Sequence, residues 1–170
     1  MMSTVLKRLC LFAAAVLLLG LGACASGPRY DTGRADAGLT AAQVAAAPTA
    51  HSGARVVWGG VIITTRNQAD HTEIEILSYP LDDAQRPDTS RGEQGRFLAR
   101  HDRYLEGVDY APGRHVTVSG TLEKTLEGKV GAAPYTFPLI RADDVYLWPR
   151  DGKAPGSTRL HFGIGVIFSR

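Results

Sequence analysis

An all-β domain, a small barrel of five or six strands behind an N-terminal tether, is the fold class this sequence predicts, and three observations carry it. Apolar and polar side chains alternate over several stretches between Arg55 and Trp148. Paired glycines, Gly59 and Gly60, interrupt a β-branched run where a strand would turn a barrel corner. A long irregular connection separates the third expected strand from the fourth, as in a Greek-key barrel of the OB type. A β-sandwich is the alternative architecture.

The elements follow in order. Arg55 to Thr65 is rich in β-branched residues, and its glycine pair predicts a bulge or sharp coil there. Asn67 to His71 is a polar hairpin loop. Thr72 to Leu81 alternates, with Ile74 and Ile76 opposite Glu73 and Glu75. Asp82 to Gly95 is a polar loop, and Arg96 to Arg100 a short third strand. Asp102 to Gly113 is irregular and closes on Pro112-Gly113, the central pair of a type II turn. The fourth strand should turn Val116, Val118, Gly120 and Leu122 inward, with His115, Thr117, Ser119 and Thr121 outward. Glu127-Gly128-Lys129 and Gly131 are expected in a hairpin loop. Tyr135 to Trp148 supplies the last strand or pair, with Pro138 at an edge or break.

Upstream of the barrel the chain has a different character. Lys7 and Arg8 form a cationic start, and the apolar run from Leu9 to Leu21 has the length of a signal-peptide core. It is shorter than the ~20 residues a spanning helix needs. Leu21-Gly22-Ala23-Cys24 then places small residues before a cysteine, where a lipoprotein signal peptidase cuts. Cleavage between Ala23 and Cys24, with a thioether-linked lipid on Cys24, is the expected processing. Ala25 follows the cysteine instead of the aspartate that retains lipoproteins on the inner membrane, so the expected address is the outer membrane, facing the periplasm. From Ala25 to Ala54 the chain is poor in large apolar residues and reads as a tether. One short helix is expected there: Thr40-Ala41-Ala42-Gln43 has the form of a capping box, leading a turn from Gln43 to Ala47 that Pro48 stops. The expected divisions are a signal peptide at 1–23, a lipidated tether at 24–54, the β-barrel domain at 55–148 and an apolar, glycine-containing tail at 149–170.

Removing the 23 signal residues takes away two of the 19 basic side chains and none of the 17 acidic ones. The mature chain is therefore neutral, which gives no electrostatic case for binding nucleic acid. Of two cysteines, Cys10 leaves with the signal and Cys24 is taken by lipid, so no disulfide or thiolate metal site is expected. Stability has to come from a hydrophobic core.

Five strings occur in a fixed order: Val57-Trp58-Gly59-Gly60-Val61-Ile62, Glu75-Ile76-Leu77-Ser78-Tyr79-Pro80-Leu81, Gly95-Arg96-Phe97-Leu98-Ala99, Tyr110-Ala111-Pro112-Gly113-Arg114 and Glu127-Gly128-Lys129. With the lipidation signal upstream, the chain resembles the Slp family of outer-membrane lipoproteins, named for induction on starvation. The resemblance covers Trp58 to Trp148 plus the signal. It implies a lipid-anchored outer-membrane protein of unassigned biochemical activity, and it carries over Cys24 and no catalytic residue.

Chemistry-bearing groups are scattered. His51, His71, His101, His115 and His161 contain no pair at helical zinc spacing, and no metal or cofactor is expected. Asp82, Asp83 and Asp88 share a loop with Arg86 and Arg91, which reads as a self-neutralising solvated loop without calcium-loop spacing. Ser78 and Ser119 lie on strands, outside any nucleophile elbow. Glu127-Gly128-Lys129 lacks the phosphate loop and following helix of a nucleotide site. Trp58, Tyr79, Phe97, Tyr104, Tyr110, Tyr135, Phe137, Tyr146 and Trp148 are either core and cap residues or a stacking platform, and core packing is the expectation. The functional expectation is a non-catalytic envelope module binding a protein or glycan partner. The alternative is a periplasmic hydrolase whose site assembles from distant residues. The last residues alternate Leu160, Phe162, Ile164, Val166 and Phe168 with His161, Gly163, Gly165 and Ile167. They are expected to pack as an extra strand or to meet a second copy or the membrane, outside the stretch of resemblance.

Overall fold

The computed structural model describes residues 27–36 and 38–150. The expectations for Ala23, Cys24 and the tail from Asp151 fall outside them. Five strands form: β1 (Arg55–Asn67), β2 (Thr72–Tyr79), β3 (Arg96–His101), β4 (His115–Val130) and β5 (Ala133–Leu147). They close into a barrel in the order β1-β2-β3-β5-β4, with β4 pairing back onto β1. Every pairing is antiparallel except β3 with β5, where Leu98, Ala99 and Arg100 face Leu139, Ile140 and Arg141 in parallel. The expected OB-like Greek-key barrel is the fold. The long strand β1 serves two neighbours, pairing with β4 over its first half and β2 over its second.

Inward-facing side chains fill the barrel. Val56, Trp58, Ile62, Ile74, Ile76, Phe97, Val116, Val118 and Ile140 are all buried, and Trp58 meets Phe97 edge-on at 5.3 Å between ring centroids. The glycine pair acts differently from the sequence expectation. The register shift in β1 falls between Ile62 and Thr64, not at Gly59-Gly60. Gly60 serves close approach, since a Cβ there would collide with the Leu77 carbonyl oxygen of β2. Gly113 has φ +84, the left-handed conformation that a type II turn demands after Pro112. Pro138 is buried inside β5, one residue before the parallel pairing with β3 begins. Its missing N–H therefore falls just short of that ladder.

Beyond the barrel, β4 and β5 continue as a two-stranded arm. Glu127, Gly128 and Lys129 pair with Thr136, Tyr135 and Pro134, so the expected hairpin loop shrinks to Gly131-Ala132. The arm is held by its own small cluster, in which Leu126, Val130 and Tyr135 pack on Leu98, Phe137 and Leu139.

The segment before β1, expected as tether, packs closely against the barrel. A 3-10 turn (Thr32–Arg34) and a short helix α1 (Ala41–Ala46) form in it. The capping box is present: Thr40 Oγ1 accepts from Gln43 N, while Gln43 Oε1 accepts from Thr40 N. The helix begins at Ala41 because that box places Thr40 at the N-cap. Leu39, Ala41 and Val44 join the barrel core, and the Trp58 indole donates to Leu39 O at 2.7 Å.

Candidate functional site

Around Trp148, at the end of β5, four separate parts of the chain converge. The Trp148 main chain is fixed by its N–H to His115 O and by Arg114 Nη2, which donates to Trp148 O, both at 2.9 Å. Its indole N–H donates to Thr117 Oγ1 at 2.9 Å, and Thr117 in turn donates to Gln85 O at 2.7 Å. Tyr146 packs edge-on against Trp148 at 4.9 Å, and the Arg86 guanidinium lies 5.6 Å from the Trp148 ring centroid. Such a placement is favourable because the ring face carries the negative lobe of its quadrupole.

Gln85 joins this cluster to the N-terminal segment. Its side-chain amide grips the Tyr30 backbone on both sides, accepting from Tyr30 N at 2.8 Å and donating to Tyr30 O at 2.9 Å. Gln85 holds φ +62, an uncommon conformation for a residue with a side chain, stabilised by these bonds. The Tyr30 hydroxyl donates to Asp144 Oδ2 at 2.5 Å. Burial, reinforced by that hydrogen bond and the Asp144 charge, keeps the Tyr30 phenol protonated far above the ordinary tyrosine range. Tyr110 is raised too, by burial first and then by Asp144 and Asp109. Burial lowers the His115 pKa, helped by the charges of Arg86 and Arg114. Tyr30 is thereby a fixed hydrogen-bond donor, and the assembly is a clamp with a cationic side.

Shallow clefts open on the surface among the described residues. One of about 460 Å³ lies between Leu39, Trp58, Tyr79, Leu81, Asp82 and Arg91. A second of about 310 Å³ is lined by Tyr30, Arg55, Val57 and Ser119, and a third of about 270 Å³ by His101, Tyr104, Tyr110 and Asp144. Two aspartates of the 80–95 loop, Asp82 and Asp88, are engaged by the loop itself. Asp82 Oδ1 accepts from the backbone of Ala84 and Arg86, and Asp88 Oδ1 from Ser90 N and Oγ. Those Ser90 bonds hold the Asp88 pKa below its ordinary value.

The structure keeps apart the other groups singled out in the sequence. His71 bonds the neighbouring Asp70 at 2.6 Å, and His101 is buried beside Arg103. Ser78 and Ser119 are buried on separate strands. Among the described residues, no group of three or more His, Cys, Asp or Glu side chains is placed to hold a metal ion. No helix among them is long and apolar enough to cross a membrane. The aromatic residues divide among the core, the arm and the Trp148 cluster, while Tyr104 is well exposed. Tyr30 and Gln85 were not legible as partners, since neither residue type signals a clamp 55 positions apart.

The family model described as "Outer membrane lipoprotein Slp family" matches residues 21–163. The chain is 32% identical over 106 residues to the uncharacterized lipoprotein YeaY of Escherichia coli strain K12, covering 62% of this chain and 54% of that protein. It is 31% identical over 130 residues to the outer membrane protein Slp of the same strain, covering 75% and 69%. An uncharacterized protein of Haemophilus influenzae is 34% identical over 91 residues, covering 53% and 49%. The chain thus spans about half the length of the first and third of these relatives. A solved small single-stranded DNA-binding protein from Streptomyces coelicolor aligns at 16% identity with a TM-score of 0.34, covering 56% of this chain and 94% of that one. That superposition is too loose to carry an argument. The family match runs further than Trp58 to Trp148 at both ends, so the tail as far as Gly163 lies inside it, contrary to the sequence expectation.

Proposed function

The chain belongs to the outer membrane lipoprotein Slp family, and on that premise we propose that it is lipidated at Cys24 and acts as a non-catalytic binding or structural module on the periplasmic face of the outer membrane. The observation that carries the proposal is Leu21-Gly22-Ala23-Cys24 itself, small residues before a cysteine behind a cationic start and an apolar run, in a chain whose family match begins at residue 21. Ala25 after the cysteine supports onward sorting to the outer membrane. The shallow clefts, each open to solvent, suit contact with a protein or glycan of the envelope better than enclosure of a reacting group.

Metabolic labelling with a fatty-acid probe tests the anchor. Cys24→Ser removes the sulfur that accepts the lipid and should abolish labelling while precursor accumulates. Normal labelling of that variant would overturn the proposal. Ala25→Asp should shift the protein toward inner-membrane fractions on a density gradient.

A further inference from the structure

We propose that the end of the barrel bearing Gly27, Trp148, Arg114 and Arg150 is a membrane-docking face that lies against an anionic phospholipid surface. The inference rests on lipidation at Cys24. Gly27 sits directly on the Trp148 indole, so closely that a Cβ on Gly27 would overlap the ring. Only Ala25 and Ser26 intervene between Gly27 and Cys24. Three residues of fully extended chain reach about 10 Å, while the headgroup layer on one side of a bilayer is about 6 Å thick. The anchor is therefore a short leash, and it is tied down again at Tyr30 by Gln85 and Asp144. A barrel so tethered cannot stand its Trp148 end far from the lipid.

The chemistry of that end fits the same occupant. Arg86 faces the Trp148 ring, Arg114 binds the Trp148 carbonyl, and His115 feels both cations. Arg29 and Arg150, both exposed, lie two residues from Gly27 and Trp148. Asp109 and Asp144 stand near Tyr110 together with Arg114, and Asp144 accepts from the Tyr30 hydroxyl, so these two carboxylates border the same end and offset part of its positive charge. Cations within a Debye length of about 8 Å are drawn to acidic headgroups. The opposite direction is equally defined. From His115, β4 runs away from Trp148 for 16 residues to Val130, and Ala132 sits at the turn beyond. The arm therefore points into the aqueous side, where a partner protein or glycan would meet it.

Single-cysteine labelling reads this orientation, because lipid occupies the thiol of Cys24. Full-length lipidated protein carrying Arg150→Cys or Ala132→Cys, each with a fluorophore, is reconstituted into vesicles containing a headgroup-located quencher lipid. Quenching at position 150 should be several-fold stronger than at 132, greater with phosphatidylglycerol than with phosphatidylcholine alone, and weakened by high salt. Arg29→Glu combined with the 150 probe should reduce the phosphatidylglycerol effect. Intact mass of the same samples reports acylation. Equal quenching at both positions with a normal acyl mass would overturn the docking face alone. A missing acyl mass would remove the anchor and the face together.

Discussion

The indole N–H of Trp148 donates to the Thr117 hydroxyl at 2.9 Å, although the alternation of β4 places Thr117 on the outer side of the barrel. Thr117 is fully buried because that outer surface is covered by Trp148 and the loop carrying Gln85, whose carbonyl accepts the same hydroxyl. Thr117 faces outward from the strand as the sequence predicts, but this cover buries it. Thr117→Val keeps the shape and leaves the indole donor and the Gln85 carbonyl without partners. Its expected cost is about 1–3 kcal/mol in urea unfolding. Thr117→Asp should be as damaging as Val118→Asp, each losing more than about 4 kcal/mol by burying a charge. Survival of Thr117→Asp at wild-type stability would mean the cover is loose in solution.

Tyr146 offers the opposite case. Its hydroxyl is buried and has no hydrogen-bond partner among the described residues, while its ring packs on Trp148. Tyr146→Phe preserves the ring and removes the unsatisfied group. Thermal unfolding should show unchanged stability or a gain of up to about 1 kcal/mol. A clear loss would reveal a partner for the hydroxyl.

The strands were legible because one face of each had to be apolar, and period-two alternation is a local signal that survives in the sequence. The OB-like topology was legible from where the connections were long. What the sequence concealed depends on contacts between distant residues. Thr117 and Ser119 look outward-facing until the loop and N-terminal segment lie over them. Leu39, Ala41 and Val44 are too few and too small to announce a core-forming segment, yet all are buried. Gln85 holds a conformation normally signalled by Gly or Asn, so nothing marked it as the residue that ties Tyr30 down. The arm was missed because Glu127-Gly128-Lys129 reads locally as a polar turn, and only the pairing to β5 reveals it as strand.

Alkaline pH should loosen the N-terminal clamp. The Tyr30 pKa is raised above its ordinary value of 10.0, first by burial and then by Asp144. Once the unfolded chain has lost this proton, the folded chain still holds it, so unfolding releases a proton and stability falls as pH rises above about 10. Tyr110 contributes with the same sign. Urea midpoints should be flat below this region and decline above it, and Tyr30→Phe should make the decline shallower. An identical decline in Tyr30→Phe would assign the effect to other groups.

The tail from Thr158 to Arg170 should be dispensable for folding, because the barrel closes without it. Each strand already has two neighbours within the ring: β1 lies between β2 and β4, and β3 between β2 and β5. An added strand could join only where a strand pairs on one side, as along the arm between Glu123 and Pro138, from Ala142 to Leu147 of β5 or from Ile62 to Asn67 of β1. Deleting Thr158–Arg170 should leave the thermal midpoint unchanged and fatty-acid labelling intact, while changing crosslinking between copies or recovery of envelope partners. A lowered midpoint would place the tail in the fold, as an extra strand on one of these edges. Unchanged stability with unchanged crosslinking would show that its apolar face serves neither purpose.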